Sequence, residues 1–434
     1  MKRNPIAART HSMFIFIIAV ALCAGSPSAF GQKKATIYNF ENGPNGSNPV
    51  AGVTLDAGGN LWGAASSGGN PECGLGGGDC GTVYELKPPS VKGGAWTETT
   101  IYTFGTASDD ASAPNSDVAF DSAGNLYGAT RSAIYQLVPP APGGSSWTSD
   151  WPYADLSSVL LAPVVDANGD LYESDPIANG NGMVFELTPG SDGTWTTTIL
   201  YSFAGGKDGS GPGGLVMDKS GRIFGVTSGG GDTNCNAPTG CGTVFALTPP
   251  AHSGAPWTHT LLYRFSNVAQ GYGPYYPLVR DAKGNLYGTA ANSYSCPGGF
   301  QCGLIFEISP PAGKGAWTET VIHSFVGGAN DGNYLLAGLT LDSKGALYGT
   351  SKLGGNGPCT SGDVFTGCGT VYRFTRPANQ GGPWTETLLH SFQGGSDGQW
   401  PEGTVTVDEK SGLLYSTTSY GGSFSAGTVF EIAP

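Results

Sequence analysis

A three-part unit recurs seven times along this chain, and no other feature restricts its fold so tightly. The first part is a short apolar stretch ending in Asp, then a turn, then a stretch reading roughly N-L-Y-G-T. It occurs as Val53-Thr54-Leu55-Asp56 followed by Asn60-Leu61-Trp62-Gly63, and again around Asp121, Asp166, Asp218, Asp281, Asp342 and Asp408. The second part reads G-T-V-[FY]-E-L, at 81–86, 242–247, 369–374 and 427–432, with looser copies at 133–137, 183–187 and 304–308. The third reads W-T-x-T-x-[LI]-[YH]-x-F and begins at Trp96, Trp195, Trp257, Trp317 and Trp384, with a degraded copy at Trp147.

Each part is rich in β-branched and aromatic residues and bounded by Gly, Pro, Asn or Asp, which marks short strands. The D-x-x-G-N segment reads as a tight turn, with Gly supplying the positive φ. One unit therefore holds four strands, A to D, in an up-and-down meander. Four-stranded units repeated at this spacing are propeller blades. The count supports a closed ring. Seven A-B-C sets are followed by only six D strands, and the missing one lies at the other end, where Ala35-Thr36-Ile37-Tyr38-Asn39-Phe40 matches Thr99-Thr100-Ile101-Tyr102-Thr103-Phe104. We expect an all-β, seven-bladed propeller over residues 33–434, closed by the N-terminal strand completing the last blade. Closure removes two exposed sheet edges, whereas a solenoid would need polar end caps instead.

Composition agrees. Gly (72) and Pro (30) make up nearly a quarter of 434 residues, a level that by itself suggests disorder, but 11% aromatic residues argue for a packed core. A net charge of −13 makes nucleic acid an unsuitable partner, because phosphate binding needs a basic stripe.

Residues 1–32 read as a signal peptide. Lys2, Arg3 and Arg9 form a basic region, residues 13–24 are apolar but short for a membrane span, and small residues follow, so cleavage is expected between Ala29 and Gln32. Leu22 is the wrong residue before Cys23 for a lipoprotein. No later stretch suits a membrane helix, and with Pro434 directly after an expected strand no anchor is expected. The chain is expected to be exported, either secreted or periplasmic. Eight cysteines then remain, as Cys73/Cys80, Cys235/Cys241, Cys296/Cys302 and Cys359/Cys368. In an oxidising compartment these read as four local disulfides. The rival, structural zinc, prefers shorter spacings and pairs that lie closer in the chain.

As a set, the G-N-L-Y-G-T and G-T-V-F-E-L motifs with a Gly-rich loop between them resemble the bacterial GloVer tandem repeat, over residues 36–434. That resemblance implies an exported repeat scaffold and no known reaction. It also implies varied C-terminal anchors, of which none is expected here.

Chemistry-bearing residues are sparse. The seven repeated Asp residues suggest a ligand array, but each is better used bonding N–H groups of its own turn. The D–A and B–C loops should share one face, around the mouth of the central channel. On that face we single out Tyr272, Tyr275, Tyr276, Tyr334 and Trp400, with Asp208, Asp331 and Asp397 in the D–A loops. Aromatic residues held on a rigid scaffold suit sugar stacking or protein contact, and packing over the channel rim is the other reading. Blade three departs from the pattern, with Glu173 and Asp175 where other blades have Gly-Thr, and with Asp155 in a degraded fourth strand. Asp166-Ala167-Asn168-Gly169-Asp170 resembles the start of a calcium loop but lacks its later Glu.

His323 and His390 replace the Tyr of the third motif, His259 lies early in it, and His252 stands in a C–D loop. No nucleophile elbow or phosphate loop is present. We therefore expect no catalytic residues, metal or cofactor. The expected protein is a monomeric, non-catalytic binding scaffold for a carbohydrate or a protein. The alternative is a polysaccharide hydrolase or lyase using loop-face carboxylates.

Overall fold

In each blade the first two strands are joined by a turn that the repeated Asp builds. The computed structural model describes residue 1 and residues 33–434, apart from 74–79, 106–111, 132, 155–160, 233, 236–237, 253, 293–301, 362–364 and 380. In it, Asp56 Oδ1 accepts the N–H groups of Gly58 and Asn60, both at 2.8 Å. The same two bonds form at Asp121, Asp166, Asp218, Asp281 and Asp342. The second oxygen reaches the aromatic residue that follows, as in Trp62 Nε1 to Asp56 at 3.0 Å and Tyr127 OH to Asp121 at 3.0 Å. At Asp218, burial raises the carboxyl, but bonds from Ser220 and Arg222 outweigh it and hold the group at about 2. These carboxylates are thus occupied by their own turns.

Blade one runs Val53–Leu55, Leu61–Ala65, Thr82–Lys87 and Thr97–Thr103, from the centre outwards. The following blades repeat that antiparallel order, and in blade five the inner strand is split into Tyr272–Pro274 and Val279–Arg280. In the last blade Thr406–Val407, Leu414–Thr418 and Thr428–Ala433 are completed by Lys33–Asn39, which pairs with Thr428–Ala433 from Lys33 opposite Ala433 to Asn39 opposite Thr428. The N-terminal strand therefore closes the ring. Every C–D pair carries a bulge near the same place, for example between Val83 and Tyr84 and between Val371 and Tyr372. Such a bulge sharpens the twist of the outer strand.

The core is divided among seven seams between neighbouring blades. At six of them the Phe ending strand D meets the strand C aromatic of the next blade, with ring centroids 5.0–5.2 Å apart: Phe40 with Tyr84, Phe104 with Tyr135, Phe203 with Phe245, Phe265 with Phe306, Phe325 with Tyr372 and Phe392 with Phe430. The ring on strand C needs the repeated Gly of strand B beneath it. A Cβ at Gly63 would stand 2.5 Å from Tyr84 Oη, and one at Gly349 would stand 2.5 Å from Tyr372 Oη.

Candidate functional site

The D–A loops and the B–C loops meet on one face. The backbone N–H of Ala113 donates to Cys80 O, Gly273 to Cys241 O, Tyr334 to Cys302 O and Trp400 to Cys368 O. Each bond ties the entry of one blade to the B–C loop of the blade before it. Cys73–Cys80, Cys235–Cys241 and Cys359–Cys368 are disulfides, so these staples fix the carbonyls that grip the next blade. Cys302 is also disulfide-bonded, and its expected partner Cys296 lies outside the described residues. At the closing seam Asn48 N donates to Ala426 O instead, so no staple lies there.

The D–A loop acids lie towards the outer edge, in clasps. Tyr201 OH donates to Asp208 at 2.7 Å, His323 Nε2 lies 3.3 Å from Asp331, and His390 Nε2 lies 3.0 Å from Asp397. Tyr263 and Gln270 (2.7 Å) and Tyr38 and Asn45 (3.3 Å) form the same pairing with an amide. Backbone N–H groups of Ala204, Val326 and Gln393 donate to Asp208, Asp331 and Asp397 and fold each loop back on its strand. A residue from the next blade then reaches the clasp: Glu98 to Asn45 at 2.7 Å, His259 to Asp208 at 3.7 Å, Glu386 to His323 at 3.6 Å, and Lys34 to Asp397 at 3.0 Å. Asp397 is held well below the ordinary carboxylate range; burial opposes this, but His390 and Lys34 prevail.

The aromatic residues divide. Tyr272 packs against the core between blades four and five. Tyr275 and Tyr276 meet edge-on at 5.7 Å and line a cavity at the channel mouth with Asn115, Leu336 and Glu402. Burial pushes both phenols up. Tyr334 and Trp400 flank Lys352, whose Nζ lies 6.0 Å and 5.4 Å from the two ring centroids and 3.0 Å from Glu402. Both adopt left-handed backbone, with φ of 61° and 60°, unusual for bulky side chains. Five singled-out residues are therefore not gathered into one cluster. Four stand at the mouth or its rim, and Tyr272 is half-buried against the core between blades four and five.

A larger cleft, of about 820 Å³, opens between blades seven and one on the same face. Tyr420 and Phe424, 40% and 54% exposed, stand on the unstapled B–C loop of blade seven. Asn42, Asn48, Asn70, Ser67 and Ser425 line the rest. Among the described residues, Asn42, Asn48 and Ser425 are three of the seven non-glycine residues with positive φ, a kind of strain that clusters at functional sites. Trp400 forms an edge contact with Tyr420 at 4.9 Å and so joins the cleft to the Lys352 group. Sequence reasoning passed over Tyr420 and Phe424; the available signal was a B–C loop, S-Y-G-G-S-F, with aromatics where four other blades carry a Cys pair.

In blade three Glu173 faces Phe185 at the position of the repeated Gly and is only 2% exposed. Its Oε2 has no hydrogen-bond partner, while Asp175 accepts the N–H groups of Ile177 and Ala178. Burial pushes the Glu173 carboxyl up to about 8, against the Ser174 N–H that favours its charged form. Asp166 makes the ordinary turn bonds, and Asp155 lies outside the described residues.

Seven blades with a closing N-terminal strand and one loop-rich face define a seven-bladed β-propeller. The repeat pattern then gives its kin. The chain belongs to the Gloeobacter/Verrucomicrobia repeat family, whose pattern matches residues 132–365. No curated protein matches the chain significantly. Among solved structures it is similar to the extracellular domain of a putative hybrid two-component system from B. thetaiotaomicron, with 12% identity, a TM-score of 0.53, and coverage of 92% of this chain and 39% of that one. It thus spans well under half of that protein. A gluconolactonase from Xanthomonas campestris is similar at 16% identity and a TM-score of 0.38, covering 71% of this chain and 82% of the enzyme's. A Trichoderma reesei protein of Carbohydrate-Active Enzymes Family AA12 aligns at 12% identity and a TM-score of 0.45, covering 93% and 96%. Among the described residues no helix is long and apolar enough to cross a membrane.

Proposed function

We propose that this protein is an exported, monomeric, non-catalytic binding propeller whose ligand is a saccharide seated between blades seven and one. The observation that carries this reading is the cleft itself: two exposed aromatic rings, Tyr420 and Phe424, opposite a lining of Asn and Ser side chains. Aromatic faces stack on sugar rings, and amides and hydroxyls bond their hydroxyl groups. Trp400, Tyr334, Tyr275 and Tyr276 extend the surface towards the channel mouth, within reach of a longer chain. Export is supported by the signal-like residues 1–32 and by disulfides, which persist in oxidising compartments.

The test is a glycan array on the mature protein, followed by calorimetry with the best ligand. Tyr420→Ala and Phe424→Ala should each weaken binding ~10-fold or more, with melting temperature unchanged. An array without signal, or turnover of a polysaccharide abolished by one carboxylate change, would sink the proposal.

A further inference from the structure

The clasps at the blade edges follow a charge rule. Where the loop residue is Asp208 or Asp397, the next blade answers with a base, His259 or Lys34. Where the next blade offers Glu98 or Glu319, the loop residue is an amide, Asn45 or Gln270. The seam between blades five and six breaks the rule: Asp331 faces Glu386, with only the His323 imidazole between them.

We propose that this seam is a binding site for a divalent first-row transition-metal ion, held by His323 Nε2, Asp331 Oδ1 and Glu386 Oε2. Among the described residues it is the one group of three such donors close enough to share an ion, their ligand atoms all lying within 4.8 Å of one another. The imidazole nitrogen is 3.3 Å from Asp331 and 3.6 Å from Glu386. Donors around a tetrahedral ion with bonds of about 2.0–2.1 Å stand roughly 3.3 Å apart, so small side-chain rotations would complete the set. A neutral imidazole leaves two carboxylates uncompensated, and an imidazolium cancels only one of them. A dication supplies the missing charge.

Two further features favour an ion. Glu386 Oε1 is shut off from solvent without a hydrogen-bond partner. Asp331 is already oriented by the N–H groups of Val326 at 2.6 Å and Gly332 at 2.8 Å, the outer support typical of metal-bound carboxylates. An imidazole with two carboxylates suits zinc, iron or manganese better than calcium, which prefers an all-oxygen shell. His323 and Glu386 keep 25% and 22% side-chain exposure, so an ion can enter from the rim without the blades parting. Three protein donors leave at least one position for water. This site stands apart from the saccharide cleft and does not depend on it.

Mature protein stripped with a chelator should be titrated with zinc, and separately with manganese, by calorimetry, with bound metal counted by mass spectrometry. One equivalent should bind and raise the melting temperature. Glu386→Gln keeps the His323–Asp331 clasp and should weaken binding at least ~10-fold. His390→Ala removes an imidazole from the ordinary clasp and should leave binding unchanged. Stripped protein that takes up neither ion overturns the proposal. So does metal uptake that is indifferent to Glu386→Gln, or lost with His390→Ala.

Discussion

Glu173 shows how a single residue departs from a repeated plan. Five blades place Gly at its position, because a Cβ there would press on the ring opposite: 2.3 Å from Tyr135 Oη at Gly128, 2.6 Å from Phe306 at Gly288. Blade seven has Ser416 there, facing Phe430, and only blade three inserts a carboxyl. Unfolded, this carboxyl titrates near 4.5; folded, burial holds its proton to about 8. Between those values the unfolded chain has released the proton and the folded one has kept it. Stability therefore falls as pH rises from about 4.5 to about 8, and the loss is complete above that. Chemical denaturation across this window should show a decline in the wild type, amounting to several kcal/mol, that is largely absent in Glu173→Gln. Parallel profiles for the two proteins would mean that the carboxyl ionises freely. The sequence marked Glu173 and Asp175 as exceptions; it did not show that the Gly replaced by Glu173 is a socket for an aromatic ring, because the ring lies on another strand.

At the scale of strands and loops, the staples act through the carbonyl beside them. The Cys235–Cys241 bond lies in a loop whose Cys241 O accepts the N–H of Gly273, the entry of blade five. A short disulfide loop contributes at most a few kcal/mol. Replacing both cysteines with Ser should thus lower global stability modestly but speed hydrogen exchange at the Gly273 amide well beyond that of strand amides in the same blade. Equal protection there would show that the loop needs no staple. The strands of every blade were readable from the repeated motifs, since each is rich in β-branched and aromatic residues and bounded by turn formers. The clasps were not readable as clasps. Tyr201 and Asp208, or His390 and Asp397, are seven positions apart, and only the loop conformation brings them together. Tyr334 and Trp400 were noticed as aromatics, but nothing in their identity announces a left-handed backbone, which is set by the bond each makes to the preceding blade.

For the whole molecule, closure depends on one strand from the opposite end of the chain. Lys33–Asn39 covers Thr428–Ala433, Phe40 is fully buried against Tyr84, and Lys34 holds Asp397 at the seam before it. Deleting residues 33–40 exposes a sheet edge, leaves the Phe40 position empty and strips Asp397 of its cation. The melting temperature should drop far more than for a deletion of an ordinary chain terminus, and the protein should self-associate through the freed edge. Unchanged melting would mean that the ring does not depend on this strand. The seven-fold plan and its closure were legible because a missing fourth strand can be counted. The cleft between blades seven and one was not, because it arises from what the last B–C loop lacks.

The edge chemistry of the clasps also bears on how such a ring can change its number of units. Genes made of near-identical repeats gain and lose copies by unequal recombination, and each loss brings two formerly separated edges face to face. Loss of blade four would set Asp208 against Glu319, two acids with no base between them, while loss of blade five would set Gln270 against Glu386, an amide and an acid that match pairs already present. The copies are thus not interchangeable, and the order of blades is written at their rims in charge.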